Sequence, residues 1–273
     1  MYKFYGGTTI GSSHLAHGLN NQDGYKFANM TSKDGHVIQV GFVCDGCSVP
    51  LRDRNPMTKS FTEVGARISA SMLLNITNNI MSTLETDLVC FEAYLDMLLE
   101  QYIVSVQAMS NIIDAQSVSA DVDANTMNRF FLHTVVGVML TPETMYCFWI
   151  GDGYYGVNEK LYSLQNGPRN APSFPLFHLN NNGIKFNYKA IPIAEVNNGF
   201  IGTDGVEYLI NTWDNSWKTN GYEGEMLKSV SNMSVTGISD MLKGVNLSYE
   251  TIDIESLPLY DDTTLIIFQR EKR

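Results

Sequence analysis

The chain has no basic cluster, no long apolar run and little charge of any kind, and each shortage removes a class of function. Charged residues make up 17% of its 273 positions, 18 Lys and Arg stand against 29 Asp and Glu, and the formal net charge is -11. Nucleic-acid partners are therefore not expected, because phosphate backbones are bound mainly by clustered Lys and Arg that release counterions. An acidic surface also suits an anionic substrate poorly, unless bound cations reverse the local field where that substrate sits. The start, MYKFYGGTTIGSSHLAHG, lacks the basic and apolar stretches of a signal peptide, and no run approaches the roughly 20 residues that span a bilayer. A cytoplasmic protein with no membrane partner is the expectation. Cysteine is scarce: Cys44, Cys47, Cys90 and Cys147 have neither the density nor the spacing of a secreted disulfide scaffold, so reduced thiols are expected. The single C-x-x-C of Cys44 and Cys47 is weak grounds for zinc or redox work.

What is present is apolar patterning, with 44% hydrophobic residues, enough to bury a large core. QDGYKFANMT and HVIQVGFVCDG flank an Asp34-Gly35 turn and read as a hairpin. After Pro56 the period changes to 3.6, with Phe61, Val64, Ile68, Met72, Leu73, Ile76 and Ile80 on one helical face. A second helix is expected over 88–113 from Phe91, Leu95, Leu98, Leu99, Ile103 and Val106, with Asp87 as a cap. RFFLHTVVGVML and MYCFWIGDG read as a second hairpin, residues 158–198 as a loop-rich flap, 206–242 as mainly helical, and the stretch through TTLIIF as closing strands. No internal repeat and no βαβ alternation occur. HVIQVGFV, TVVGVML and TTLIIF are nearly continuous apolar runs, which points to strands covered on both faces. The expected fold is α+β, a single domain over 1–273 built as a four-layer α-β-β-α sandwich of two antiparallel sheets between helix pairs.

Five Asp-Gly dipeptides occur, and a turn explains Asp34-Gly35. Asp45, Asp152 and Asp204 instead follow apolar strands directly, in GFVCDG, CFWIGDG and GFIGTDG, so the three acids can meet at the sheet ends. Asp261 and Asp262 precede TTLIIF at the start of a buried strand, where an unpartnered carboxylate is costly. Without a Cys or His cluster nearby, such a set favours hard cations, Mg²⁺ or Mn²⁺, over zinc. On spacing alone, turn and cap roles compete evenly with a metal site.

In order along the chain, GSSHLAHGLNNQDG, VCDGCS, EVGARISA, LHTVVGVML, WIGDG, GTDGVEYL and DDTTLIIF resemble the successive motifs of protein phosphatase 2C domains, most closely a bacterial branch, over about residues 6–270. The resemblance implies metal-dependent hydrolysis of phosphoserine or phosphothreonine in a protein substrate, by a water held between two Mg²⁺ or Mn²⁺ ions. It makes Asp45 the bridging ligand, with the Gly46 carbonyl, Asp204 and Asp261 completing the direct set and Asp23 holding metal-bound water. Asp152 would serve a weaker third ion, although Tyr208 stands where a further acid belongs, with Glu207 beside it. Gln22 occupies a position that is often Glu. The phosphate-binding Arg is replaced by Gly18, leaving His14, His17, Arg52 or Arg54 to take over or to be ordinary structural and surface residues. Cys47 stands where some members carry a His that protonates the leaving group, and a thiol is a poor substitute. Two rivals stay open: a weak or inactive homologue serving as a binding or signalling module, and a phosphoesterase acting on small molecules. The sequence names no substrate and no oligomeric state.

Overall fold

The computed structural model describes residues 1–47, 61–83, 90–116, 126–158, 160–164, 172–179, 183–212, 238, 240, 242 and 259–271. Along the chain these form β1 (Tyr2–Thr9), α1 (Ser12–Ala16), β2 (Asp23–Thr31), β3 (Val37–Asp45), α2 (Thr62–Thr83), α3 (Phe91–Gln116), α4 (Thr126–Phe131), β4 (Val135–Leu140) and β5 (Thr144–Ile150). There follow β6 (Tyr154–Val157), β7 (Lys160–Ser163), β8 (Asn187–Pro192), β9 (Asn198–Gly202), α5 (Val206–Thr212) and β10 (Thr263–Arg270). The strands build two five-stranded sheets, ordered β1-β10-β9-β6-β7 and β2-β3-β4-β5-β8. Every pairing is antiparallel.

The continuous apolar strands have the predicted cause. In β3, Ile38, Val40, Phe42 and Cys44 face the helix-covered core, whereas Val43 joins the core between the sheets. In β10, Ile266 and Phe268 point to the other sheet while Leu265 and Ile267 meet Val206 and Leu209 of α5. Period-2 alternation with both sides buried yields an unbroken apolar sequence. Helices thus cover both outer faces, α2 and α3 on one and α5 on the other, giving the α-β-β-α layering. Of the 206–242 stretch, residues 213–237, 239 and 241 lie outside the described residues, as does the Asp87 cap. Ile38→Val, which removes one methylene from a fully buried position, should cost about 1 kcal/mol in urea unfolding, whereas Ile112→Val on the exposed side of α3 should leave the midpoint unchanged.

The α3 face matches expectation, with Leu95, Leu98, Leu99, Ile103 and Val106 buried. The α2 face does not at its first turns: Gly65, Ala66, Ser69 and Ala70 are buried and Val64 is exposed. This helix lies so close to its neighbours that a Cβ on Gly65 would stand 1.5 Å from the Phe130 carbonyl oxygen, so small residues define its inner side. Residues 129–132, expected to begin a strand, instead end α4 and the link after it, where Phe130 stacks on Phe61 at 5.1 Å. Within 158–198 the structure adds β7 and β8, edge strands whose exposed faces leave no apolar alternation to read. β1 pairs with β10 from Tyr2↔Arg270 to Thr9↔Thr263, drawing the two ends of the chain together. Among the described residues no helix is long and apolar enough to cross a membrane.

Candidate metal centre

Strand direction gathers the acids at one end of the sandwich. Asp23 opens β2 and Asp45 closes β3 as register partners. Asp204 follows β9, Asp261 and Asp262 precede β10, and Leu265 pairs with Gly202, so these two loops are adjacent. Asp152 follows β5, whose Ile150 pairs with Val135 near the clamp on Asp45 formed by Thr134, whose N–H donates to the Asp45 carbonyl at 2.9 Å.

The gathering is electrostatically costly. Burial, then the charges of Asp204, Asp23 and Asp261, holds the Asp45 carboxyl well above the usual carboxylate range. Burial and the Asp261 charge push Asp204 to about 6, and the Asp45 and Asp204 carboxyls stand within hydrogen-bonding reach of each other. Asp261 and Asp152 are raised mainly by burial. Asp23, 1% exposed, is raised well above normal by burial and by Asp262. Its Oδ2 accepts from the Thr203 hydroxyl at 2.9 Å, while its buried Oδ1 has no partner. The Cys47 thiol is also pushed up, by burial and by Asp152, Asp204 and Asp261, which keeps it neutral and a weak acid.

Asp262 behaves differently. Its oxygens accept from Gly11 N at 2.7 Å, Gln22 N at 2.5 Å and His14 Nδ1 at 2.8 Å. That bond raises the His14 pKa, and with the imidazole protonated the pair is an ion pair. His14, Asp261 and Asp262 are the donor set that closes within 4.8 Å among the described residues; Asp45, Asp204 and Asp261 do not form so tight a trio. Because Asp262 is already committed to two amides and an imidazole, the His14 cluster reads as a structural lock. The wider spread of the other acids suits two ions, which in such centres sit about 3.5–4 Å apart.

His17 is exposed at the end of α1, its Nδ1 donating to the Ser13 carbonyl at 2.7 Å. Gly18 is left-handed at φ 64, and among the described residues no atom lies within 4 Å of where a Cβ would stand. Arg52 and Arg54 lie outside the described residues. Tyr208 and Glu207 open α5 after Asp204, with Glu207 exposed and Tyr208 packed on Tyr260 at 5.7 Å. Sequence reasoning missed Thr203 and Thr264, whose hydroxyls lie beside Asp23, and the part played by Asp262. The signal was visible in GTDG and DDTT, where each hydroxyl adjoins a singled-out acid.

An orphaned buried carboxylate oxygen and at least four acids raising one another's pKa values fit a hard divalent cation: the donors are oxygens, and positive charge would relieve both burdens. Asp45, the Gly46 carbonyl, Asp204 and Asp261 could supply direct ligands, with Asp152 at the flank.

A profile of the protein phosphatase 2C family matches residues 10–243. The chain belongs to the protein phosphatase 2C family. Sequence comparison with the curated proteins finds no match. Among solved structures, the serine/threonine phosphatase Stp1 from Staphylococcus aureus is similar at a TM-score of 0.58 and 12% identity, over 100% of this chain and 96% of that one. The Mycobacterium tuberculosis serine/threonine phosphatase PstP/Ppp aligns at 0.53 and 8% identity, over 99% of each chain. The catalytic domain of PstP in complex with two manganese ions aligns at 0.50 and 9%, over 98% of this chain and 97% of that one. At these identities the likeness establishes the fold.

Proposed function

We propose that this chain hydrolyses phosphoserine and phosphothreonine in proteins at a centre of two Mg²⁺ or Mn²⁺ ions held by Asp45, the Gly46 carbonyl, Asp204 and Asp261, with Asp152 serving a weaker third ion. The observation that carries the reading is the buried acidic cluster at adjoining sheet ends, with Asp23 Oδ1 left without a partner. When bound, the ions supply an acidified water and offset the charge of the phosphate oxygens. Asp23 is fixed through Oδ2 by Thr203, so its free Oδ1 can accept a proton-bearing oxygen and orient an attacking water. Attack on phosphorus expels the seryl or threonyl oxygen, and inorganic phosphate and a free hydroxyl result. Neither histidine is aimed at catalysis through its Nδ1, since His14 is given to Asp262 and His17 to a backbone carbonyl. The proton for the leaving oxygen then comes from solvent, because the Cys47 thiol is too weak an acid.

The open Gly18 position favours one other reading, a weak or inactive homologue that uses the fold for binding. Turnover of phosphopeptides and of p-nitrophenyl phosphate, measured with Mn²⁺, with Mg²⁺ and after chelation, separates the two. Hydrolysis that requires the metal and prefers phosphopeptides over nucleotides and sugar phosphates is expected. No hydrolysis under any divalent metal would leave the binding module standing.

A further inference from the structure

Behind the Asp45–Gly46 turn runs a buried chain of hydrogen bonds that the hydrolytic chemistry leaves unused. Ser69 Oγ on α2 lies 2.8 Å from Tyr102 Oη on α3, Tyr102 Oη lies 2.6 Å from His133 Nε2, and His133 Nδ1 lies 3.0 Å from the Thr134 carbonyl. Ser69 and His133 are 0% exposed and Tyr102 is 1% exposed. A carbonyl oxygen only accepts, so Nδ1 carries the proton there. With the ring proton on Nδ1, Nε2 is left as the acceptor and takes the Tyr102 hydroxyl hydrogen. Tyr102 Oη, its own hydrogen spent, accepts in turn from Ser69. The chain thus runs in one direction, from helix layer to sheet, with each member satisfied.

Its far end grips the turn that carries two of the candidate ligands. Gly46 and His133 form an isolated antiparallel bridge. Around it Thr134 N donates to the Asp45 carbonyl at 2.9 Å, and Cys47 N donates to the Leu132 carbonyl at 2.9 Å. Residues 132–134 lie between α4 and β4, outside any regular strand, so the His133 side chain ties them to the interior. We propose that Ser69, Tyr102 and His133 are positioning residues that hold the 45–47 backbone, and with it the Asp45 carboxyl and the Gly46 carbonyl, in the geometry the cations need. This inference rests on the two-ion reading of the site. Outer partners of this kind set ligand orientation, and their loss typically weakens metal binding about 10–100-fold.

The same helices carry an internal control. Thr77 Oγ1 on α2 meets Tyr94 Oη on α3 at 2.9 Å, a second buried hydroxyl pair that, among the described residues, hydrogen-bonds to neither the turn nor the acids. Tyr102→Phe and Tyr94→Phe each delete one buried hydroxyl and should lower the melting temperature by similar amounts. Only Tyr102→Phe should weaken Mn²⁺ binding in titration calorimetry, by about 10–100-fold, and only it should speed amide exchange at Cys47 and Thr134 in the metal-free protein. His133→Gln, which can still accept from Tyr102, should retain more affinity than His133→Leu. Unchanged Mn²⁺ affinity in Tyr102→Phe, or an equal loss in Tyr94→Phe, overturns the proposal. Should the wild-type protein bind no Mn²⁺, the two-ion reading fails by itself, and the exchange rates decide the anchoring: faster exchange at those two amides in Tyr102→Phe alone supports it, and unchanged exchange overturns it.

Discussion

Asp204→Asn should cut metal-dependent turnover by about 10³-fold or more, because the contribution of a bound ion to charge stabilisation is several kcal/mol and each 1.36 kcal/mol is a decade of rate. The same substitution should make the metal-free protein more stable at neutral pH. The folded-state pKa of Asp204 is about 6, above its ordinary value near 3.9, chiefly through burial and the Asp261 charge. A raised carboxylate pKa means that folding takes up a proton. The group therefore opposes folding in full above pH 6, and its penalty fades as pH falls from 6 toward 4. Replacing it by a neutral amide of similar shape should raise unfolding stability at pH 7.5 by about 2 kcal/mol, with little gain at pH 4. Excess Mn²⁺ should raise the melting temperature of the wild type and not of the variant. A variant that is less stable than wild type without metal, and still active with it, contradicts the placement of Asp204 among repelling acids.

Gly205→Ala should be strongly damaging for the addition of a single methyl group. A Cβ there would stand 1.9 Å from the Asp262 carbonyl oxygen and 2.8 Å from Thr263 Oγ1. The nearer clash is with backbone that cannot swing aside, so relief requires the loop after β9 and the loop before β10 to separate. That motion breaks the bond from Thr263 Oγ1 to the Gly205 carbonyl at 3.2 Å and pulls Thr203 away from Asp23. Overpacking of a rigid site costs upward of 1–3 kcal/mol, and about 4 kcal/mol is expected here, a fall in melting temperature on the order of 10 °C. Thermal unfolding monitored by circular dichroism measures it. A fall of less than about 2 °C would mean that the two loops are not in the contact described.

How much of this was legible beforehand depends on what each element packs against. β3, β4 and β10 are buried on both faces, so their apolar runs were readable as interior strands. α3 presents large side chains to the core and was equally clear. α2 was found, but its inner face was misjudged, because close approach to neighbouring backbone selects Gly65, Ala66, Ser69 and Ala70, which contribute little to an apolar pattern. β7 and β8 are exposed edges without alternation, and RFFLH carries too few residues to tell a helical period from a strand. At the site, position directly after an apolar strand singled out Asp45, Asp152 and Asp204 as candidates. Of the acid pair before β10, the resemblance assigned Asp261 as a ligand and was silent on Asp262; that Asp262 takes the amides of Gly11 and Gln22 is fixed by the fold. His133 carried no readable sign, since its role depends on two helices and a strand meeting around one imidazole.

The most direct test is a crystal of the protein grown with Mn²⁺ and measured at the manganese absorption edge. Two anomalous peaks about 3.5–4 Å apart, between Asp45, Asp204 and Asp261 and within reach of the Gly46 carbonyl, are predicted. Anomalous density at His14 and Asp262 alone, or no ordered metal among Asp45, Asp204 and Asp261, would contradict the account.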